Sequence, residues 1–157
     1  MKPSRDHRTR RSFLAVAGAG LATTLGSVVP ASAAEPTADE RANMTVVTAF
    51  CDAFSSRDIT RIMSFMADPC SYRVTEATDP VKGFAAVQGR IAGFLQNVQR
   101  FEVLDTFARG PMVFNERMDY FSSGRLKSWH GVGVFFLQDK KIVEWQDFTI
   151  AIERTAG

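Results

Sequence analysis

From Val98 to Ile152, four runs rich in Phe, Val, Ile and Trp follow one another: about Val98–Ala108, Met112–Ser122, Arg125–Gln138 and Lys141–Ile152. The intervals between them are short and built of turn-forming residues: Arg109-Gly110-Pro111, Ser122-Ser123-Gly124 and Asp139-Lys140. Strands joined this tightly run antiparallel, because a parallel pair needs a crossover of about a dozen residues or more. The second half of the chain is therefore expected to form a meander.

The preceding segment follows a different period. Met44, Val47, Phe50, Cys51 and Phe54 fall at helical spacing, which predicts a helix from about Glu40 to Ser56. Ser55-Ser56-Arg57-Asp58 interrupts it, and a second short helix is expected over Ile59–Ala67, stopped by Asp68-Pro69. Cys70–Val74 alternates and reads as a strand, Thr75–Lys82 as a loop around Pro80, and Phe84–Leu95 as a third helix. Three helices followed by hairpin-linked strands imply an α+β fold, a curved, mixed, mainly antiparallel sheet wrapped around the helices. A composition of 45% hydrophobic and 23% charged residues excludes global disorder.

The formal charge of +2 is unevenly placed. Residues 1–33 carry five basic side chains against the single acid Asp6, leaving 14 basic and 16 acidic residues in the rest. A body of that charge argues against a nucleic-acid partner. The basic start contains Thr9-Arg10-Arg11-Ser12-Phe13-Leu14-Ala15, which resembles the core of a twin-arginine export signal. A mildly apolar stretch, Phe13–Val29, follows, and Ala31-Ser32-Ala33 has the form of a signal-peptidase site. Residues 1–33 are thus expected to be a leader, 34–39 a short lead-in and 40–157 one domain, exported to the periplasm or beyond. Cleavage before Ala34 would leave 124 residues. No cysteine follows the apolar run, and no apolar run reaches the roughly eighteen residues of a membrane span, so no stable membrane anchor is expected after cleavage.

Several chemistries lack their residues. There is no phosphate-binding Gly-Lys-Ser loop, Gly-x-Gly-x-x-Gly, His-Glu-x-x-His or Gly-x-Ser-x-Gly. Beyond the leader the single histidine is His130, on the strand face opposite Trp129, and it reads as structural or exposed. No cofactor and no metal are expected. Cys51 and Cys70 leave two readings open: a disulfide, which an oxidising destination permits, or free thiols in apolar surroundings.

Carboxylates remain. On alternating strands Asn115, Arg117, Asp119 and Phe121 share one face, Lys127, Trp129, Gly131, Gly133 and Phe135 another, and Val143, Trp145, Asp147 and Thr149 a third. Charges flanked by bulky apolar side chains on a concave sheet are costly unless paired. One arginine between two aspartates can hold both, and environment can then keep one protonated as acid and the other ionised as base. A purely structural ion pair fits the same spacing.

Three segments carry a resemblance: Met66-Ala67-Asp68-Pro69-Cys70-Ser71-Tyr72, Asn115-Glu116-Arg117-Met118-Asp119, and Gly133-Val134-Phe135 through Lys141-Ile142-Val143-Glu144-Trp145-Gln146-Asp147-Phe148. Together they resemble the limonene-1,2-epoxide hydrolase family, within the SnoaL-like, nuclear-transport-factor-like cone fold (a cystatin-like α+β barrel), over about residues 40–153. The resemblance implies hydrolysis of an epoxide without a covalent intermediate. Asp147 would take a proton from water, Asp119 would donate one to the epoxide oxygen, Arg117 would bridge them, and Tyr72 would position the water. The pattern departs at Val74, where the family has asparagine; Glu76 shares its parity and is a candidate substitute. Trp129, Phe135, Phe121 and Val74 are expected to line the site of a small, neutral, apolar epoxide or similar substrate, with Val143 and one of Met63, Met66 or Phe94. An isomerase or cyclase of the same fold, or a non-catalytic protein binding an apolar ligand, are the other readings. Met118, Tyr120, Phe148, Ile150 and Ile152 are expected on the outer face of the sheet, covered by a second copy in a homodimer.

Overall fold

The computed structural model describes Glu35–Thr155; the expected leader lies outside the described residues. Helix α1 spans Ala38–Ala53. It begins there because the Thr37 side chain accepts from the Glu40 backbone while the Glu40 carboxylate accepts from the Thr37 backbone N–H at 2.7 Å. A 3-10 turn, Phe54–Ser56, carries the chain to α2, Ile59–Met63, capped by the Asp58 side chain on the N–H groups of Thr60 and Arg61. Then come β1 (Met66–Arg73), β2 (Val81–Lys82), α3 (Phe84–Leu95), β3 (Val98–Arg109), β4 (Met112–Phe121), β5 (Leu126–Gln138) and β6 (Lys141–Arg154).

The six strands form one curved sheet in the order β2-β1-β6-β5-β4-β3. Strands β3 to β6 are the expected meander, and β1 closes it by pairing parallel to β6. The helices cover the concave face. Val47, Phe50 and Cys51 of α1 and Val87 and Ile91 of α3 are fully buried. Phe50 makes edge contacts with Phe54, Phe135 and Trp145, with ring centroids 5.2, 5.8 and 5.1 Å apart. Burial of an aromatic or aliphatic side chain of this size contributes about 1.5–3 kcal/mol, so this cluster holds the closed end of the cone together.

Three local expectations change. The second helix ends at Met63, and Asp68-Pro69 lies inside β1. The β1–β6 ladder shifts register between Met66 and Ser71, so Pro69 sits where the ladder is irregular and its missing N–H costs no regular strand bond. Val81–Lys82, read as loop, adds a short edge strand on Ser71 and Tyr72. The cysteines are free, and the Cys51 thiol donates to Asn115 Oδ1 at 3.4 Å.

Bulges on the meander rotate faces that strict alternation would keep. Phe136 and Leu137 pair with Glu144 and Ile142, leaving Val143 as the extra residue. Val143 therefore lies off the concave face, and Ile142 is fully buried in its place. His130 and Gly131 pair with Ala151 and Thr149, which makes Ile150 the extra residue and turns Ile152 inward opposite Trp129. Ile152 thus leaves the expected outer face, on which Phe148 and Ile150 stay exposed. Between Leu126 and Ser128 the same device puts Lys127 out and Leu126 in. No helix among the described residues is long and apolar enough to cross a membrane.

Candidate functional site

Arg117 lies at the middle of β4, facing the concave side, and is fully buried. Its Nε donates to Asp119 Oδ1 at 2.9 Å, and its Nη2 donates to Asp119 Oδ2 at 3.4 Å and to Asp147 Oδ1 at 2.9 Å. Asp119 comes from the same strand two residues on, whereas Asp147 comes from β6, with β5 between. The aromatic rings of Trp129 and Phe101 flank the guanidinium, with centroids 4.9 and 5.0 Å from Cζ. A charge held in this way is desolvated but fully engaged on one edge of its fork.

Asp147 has more partners than Asp119. Besides Arg117, it accepts from Trp145 Nε1 at 2.7 Å on Oδ1 and from the Tyr72 hydroxyl at 3.1 Å on Oδ2. Tyr72 is fixed by stacking on Trp145, with ring centroids 3.7 Å apart. Burial pushes the Asp119 carboxyl up to about 7, against the opposing pull of Arg117. Burial also raises Asp147, opposed by Arg117 and by the hydrogen bonds from Trp145 and Tyr72. Tyr72 stands well above the ordinary phenol range, through burial and then the Asp147 charge. Burial alone would lower Arg117, but the two carboxylates outweigh it and keep the group cationic.

Both aspartates open onto a cavity of about 250 Å³. Tyr72 and Thr75 bring hydroxyls to its wall, and the remainder is apolar: Val74, Phe94, Phe101, Phe121, Leu126, Trp129 and Ile152. Trp129 is held by its Nε1 donating to Thr149 Oγ1 at 3.1 Å. A mainly apolar chamber with two carboxyls and a phenol at one wall can exchange protons with a neutral ligand, and its lining offers no cation for an anionic one.

The structure thus brings Asp119, Arg117, Asp147 and Tyr72 together, with Trp129, Phe121 and Val74 on the cavity wall. Phe135 is elsewhere. It shares the concave face but stacks on Trp145 and meets Phe50 at the closed end, fully buried and away from the cavity. Met63 of α2 and Met66, which the structure places in β1 rather than in a helix, are also core, and of these three candidates Phe94 lines the cavity. Glu76 is exposed and accepts from the Thr149 backbone at 3.2 Å, so it does not replace the asparagine missing at Val74. His130 pairs with Glu116 at 2.7 Å, outside the cavity. Phe101, Leu126, Ile152 and Thr75 were missed. Phe101 is the register partner of Asp119 on β3, so pairing the hairpin around Gly110 would have pointed to it. Among the described residues no group of three His, Cys, Asp or Glu is placed to hold a metal ion.

Residues 47–145 match the family described as SnoaL-like domain. Among solved structures, the chain is similar to an LEH-like epoxide hydrolase of M. tuberculosis, 21% identical, with a TM-score of 0.63 over 71% of this chain and 84% of that one. It is similar to a candidate SnoaL-like polyketide cyclase from Jannaschia sp. CCS1, 17% identical, TM-score 0.65, over 75% and 92%. It is likewise similar to a candidate ketosteroid isomerase from Kribbella flavida DSM 17836, 17% identical, TM-score 0.60, over 76% and 86%. At these identities the likeness establishes the fold, and one fold here carries three chemistries.

Proposed function

The chain belongs to the SnoaL-like domain family, and we propose that within it the protein is an exported epoxide hydrolase-like enzyme acting on a small apolar substrate. The observation that carries this reading is one buried guanidinium holding two carboxyl groups at the wall of an apolar cavity. Its asymmetry assigns the roles. Asp147 accepts three different donors, which favour its ionised form, so it is the base. Asp119, supported by Arg117 alone and raised to about 7, is the acid. A water held by Asp147 and Tyr72 attacks an epoxide carbon as Asp147 takes its proton. The carbon–oxygen bond breaks, and Asp119 gives its proton to the departing oxygen, leaving a diol. No bond forms between enzyme and substrate.

The test is a panel of cyclic and terpene-like epoxides in ¹⁸O-labelled water. A diol carrying the label, with the aspartate variants inactive, supports hydrolysis. Tight binding without turnover would leave a ligand-binding protein, and product without label would leave an isomerase or cyclase.

Val74 supports a second reading. It stands on the cavity wall where the resembled family has asparagine, so the water has one polar partner fewer. A nucleophile carried by the substrate itself would not need that partner, and the product would then be a ring. Val74→Asn separates the two. If water positioning limits the rate, one added hydrogen bond is expected to raise diol formation about two- to tenfold. No gain, with unlabelled cyclic product, would favour the internal nucleophile.

Export rests on the twin-arginine motif and the Ala31-Ser32-Ala33 site. Intact mass of protein recovered outside the cytoplasm is expected to correspond to 124 residues. Full-length chain retained inside would overturn it.

A further inference from the structure

Arg117 and Asp147 sit on strands that are not neighbours. Asn115 pairs with Gly133 and Gly133 with Asp147, while Arg117 pairs with Gly131. The Arg117 and Asp147 side chains must therefore meet across β5, with about 10 Å between strands β4 and β6 at ordinary sheet spacing, and the guanidinium lies over β5. It crosses diagonally, from the row of Gly131 to the row of Gly133. Both positions face the concave side, where every other buried residue of β5 carries a side chain.

Neither glycine is there for its backbone angles, since the positive-φ glycines of the fold are Gly83, Gly110 and Gly124. The reason is space. A Cβ on Gly133 would stand 2.5 Å from Arg117 Nη1 and 2.6 Å from Phe135 Cε2. A Cβ on Gly131 would overlap the Trp129 ring and the Phe148 carbonyl oxygen. Nη1 itself is buried without a hydrogen-bond partner, so it rests against β5 at van der Waals contact while Nε and Nη2 hold the carboxylates.

We infer that Gly133 is a positioning residue: its bare Cα is the saddle over which the Arg117 guanidinium reaches Asp147. Gly131 has the parallel task for Trp129, whose six-membered ring occupies the space a Cβ there would take. The catalytic consequence rests on the acid–base reading above, but the geometry does not. A methyl at 133 must lift the guanidinium, and with carboxylates engaged on two strands it cannot move without loosening both ion pairs.

The experiment is Gly133→Ala in the full chain, with Gly131→Ala beside it. Gly133 does not line the cavity, so its variant is expected to keep KM within about threefold and lose kcat by about a hundredfold, the scale of an ångström's misplacement. Gly131→Ala should instead weaken binding of the larger epoxides, because Trp129 is pushed into the cavity. Carboxyl-¹³C titration of Asp119 and Asp147 reads the geometry without turnover. The groups facing them are Arg117, Tyr72 and Cys51. A displaced guanidinium should raise their midpoints by about one pH unit or more. A folded Gly133→Ala with unchanged midpoints overturns the inference, whatever the wild type's activity. Changed midpoints in a protein that opens no epoxide would uphold the saddle and overturn only the hydrolase reading. Should Gly133→Ala not fold, Arg117→Met/Gly133→Ala decides against Arg117→Met alone. Because the Phe135 ring stands 2.6 Å from the same Cβ, the comparison is made in a Phe135→Leu background. Recovery of folding that needs Arg117→Met assigns the clash to the guanidinium, and recovery by Phe135→Leu alone, or failure of the double variant in that background, overturns it.

Discussion

Asp147→Asn is expected to lower turnover by about 10²–10⁴, the contribution of a positioned general base. Asparagine keeps the shape: its Oδ1 can still accept from Arg117 and Trp145, while its Nδ2 would donate to the Tyr72 hydroxyl oxygen, so the loss would be of proton affinity rather than of structure. Asp119→Asn should cost a similar factor, because an amide cannot release a proton to the opening epoxide. The double variant should cost little more than the worse single one, since acid and base act on one transition state. Steady-state rates on the best epoxide of the panel measure all three. Full activity in Asp147→Asn would end the acid–base assignment, and collapse of folding in both single variants would favour a structural ion pair.

The same residue ties activity to pH. Asp119 is raised to about 7 in the folded protein, against 3.8 for an ordinary aspartate. The acid form is present below that value, so kcat/KM should fall as pH rises through about 7. Stability follows the same sign. The folded state holds a proton that the unfolded chain releases, so the contribution is complete below about pH 4 and disappears as pH climbs to about 7. Asp119→Asn should flatten this slope in urea unfolding between pH 4 and 8.

How the site could be read from the chain follows from strand geometry. Arg117 and Asp119 are two residues apart on a regular stretch of β4, where alternation holds, so their shared face was legible. Asp147 was placed beside them only because it too lies between bulges, after Val143 and before Ile150. Outside those bounds the reading slipped by one residue each time. Val143, Lys127 and Ile152 were assigned to faces they do not occupy, because a bulge adds a residue without any change of composition. Phe135 failed for another reason. Its face was right, but alternation distinguishes in from out and says nothing of depth along the cone. Phe50 of α1 and Trp145 decide that, and they are distant in sequence. The strand character of Met66–Cys70 was hidden by Pro69, which ends a helix in most contexts and here sits at a break in a parallel ladder.

Arg117 is expected to tolerate no replacement, with two signatures that separate catalysis from stability. Arg117→Lys retains the charge but replaces a planar fork by a point. The wild-type fork uses Nε on Asp119 and Nη2 on both carboxylates, an arrangement spanning two strands that one ammonium cannot reproduce. Turnover should fall by about 10² or more, with the fold retained. Arg117→Met removes the charge and leaves two buried carboxyl groups facing each other without a cation. At pH 8, breaking such a buried group is expected to cost about 3–5 kcal/mol. The cost should shrink at pH 5, because without the cation both carboxyl midpoints rise further and the pair becomes neutral by taking up protons. Urea midpoints at the two pH values give the comparison. A destabilisation equal at pH 5 and 8 would mean that Arg117 acts through bulk rather than charge. Wild-type turnover in Arg117→Lys would mean that the two carboxyls need no common fork, and the coupling of acid to base through Arg117 would have to be abandoned.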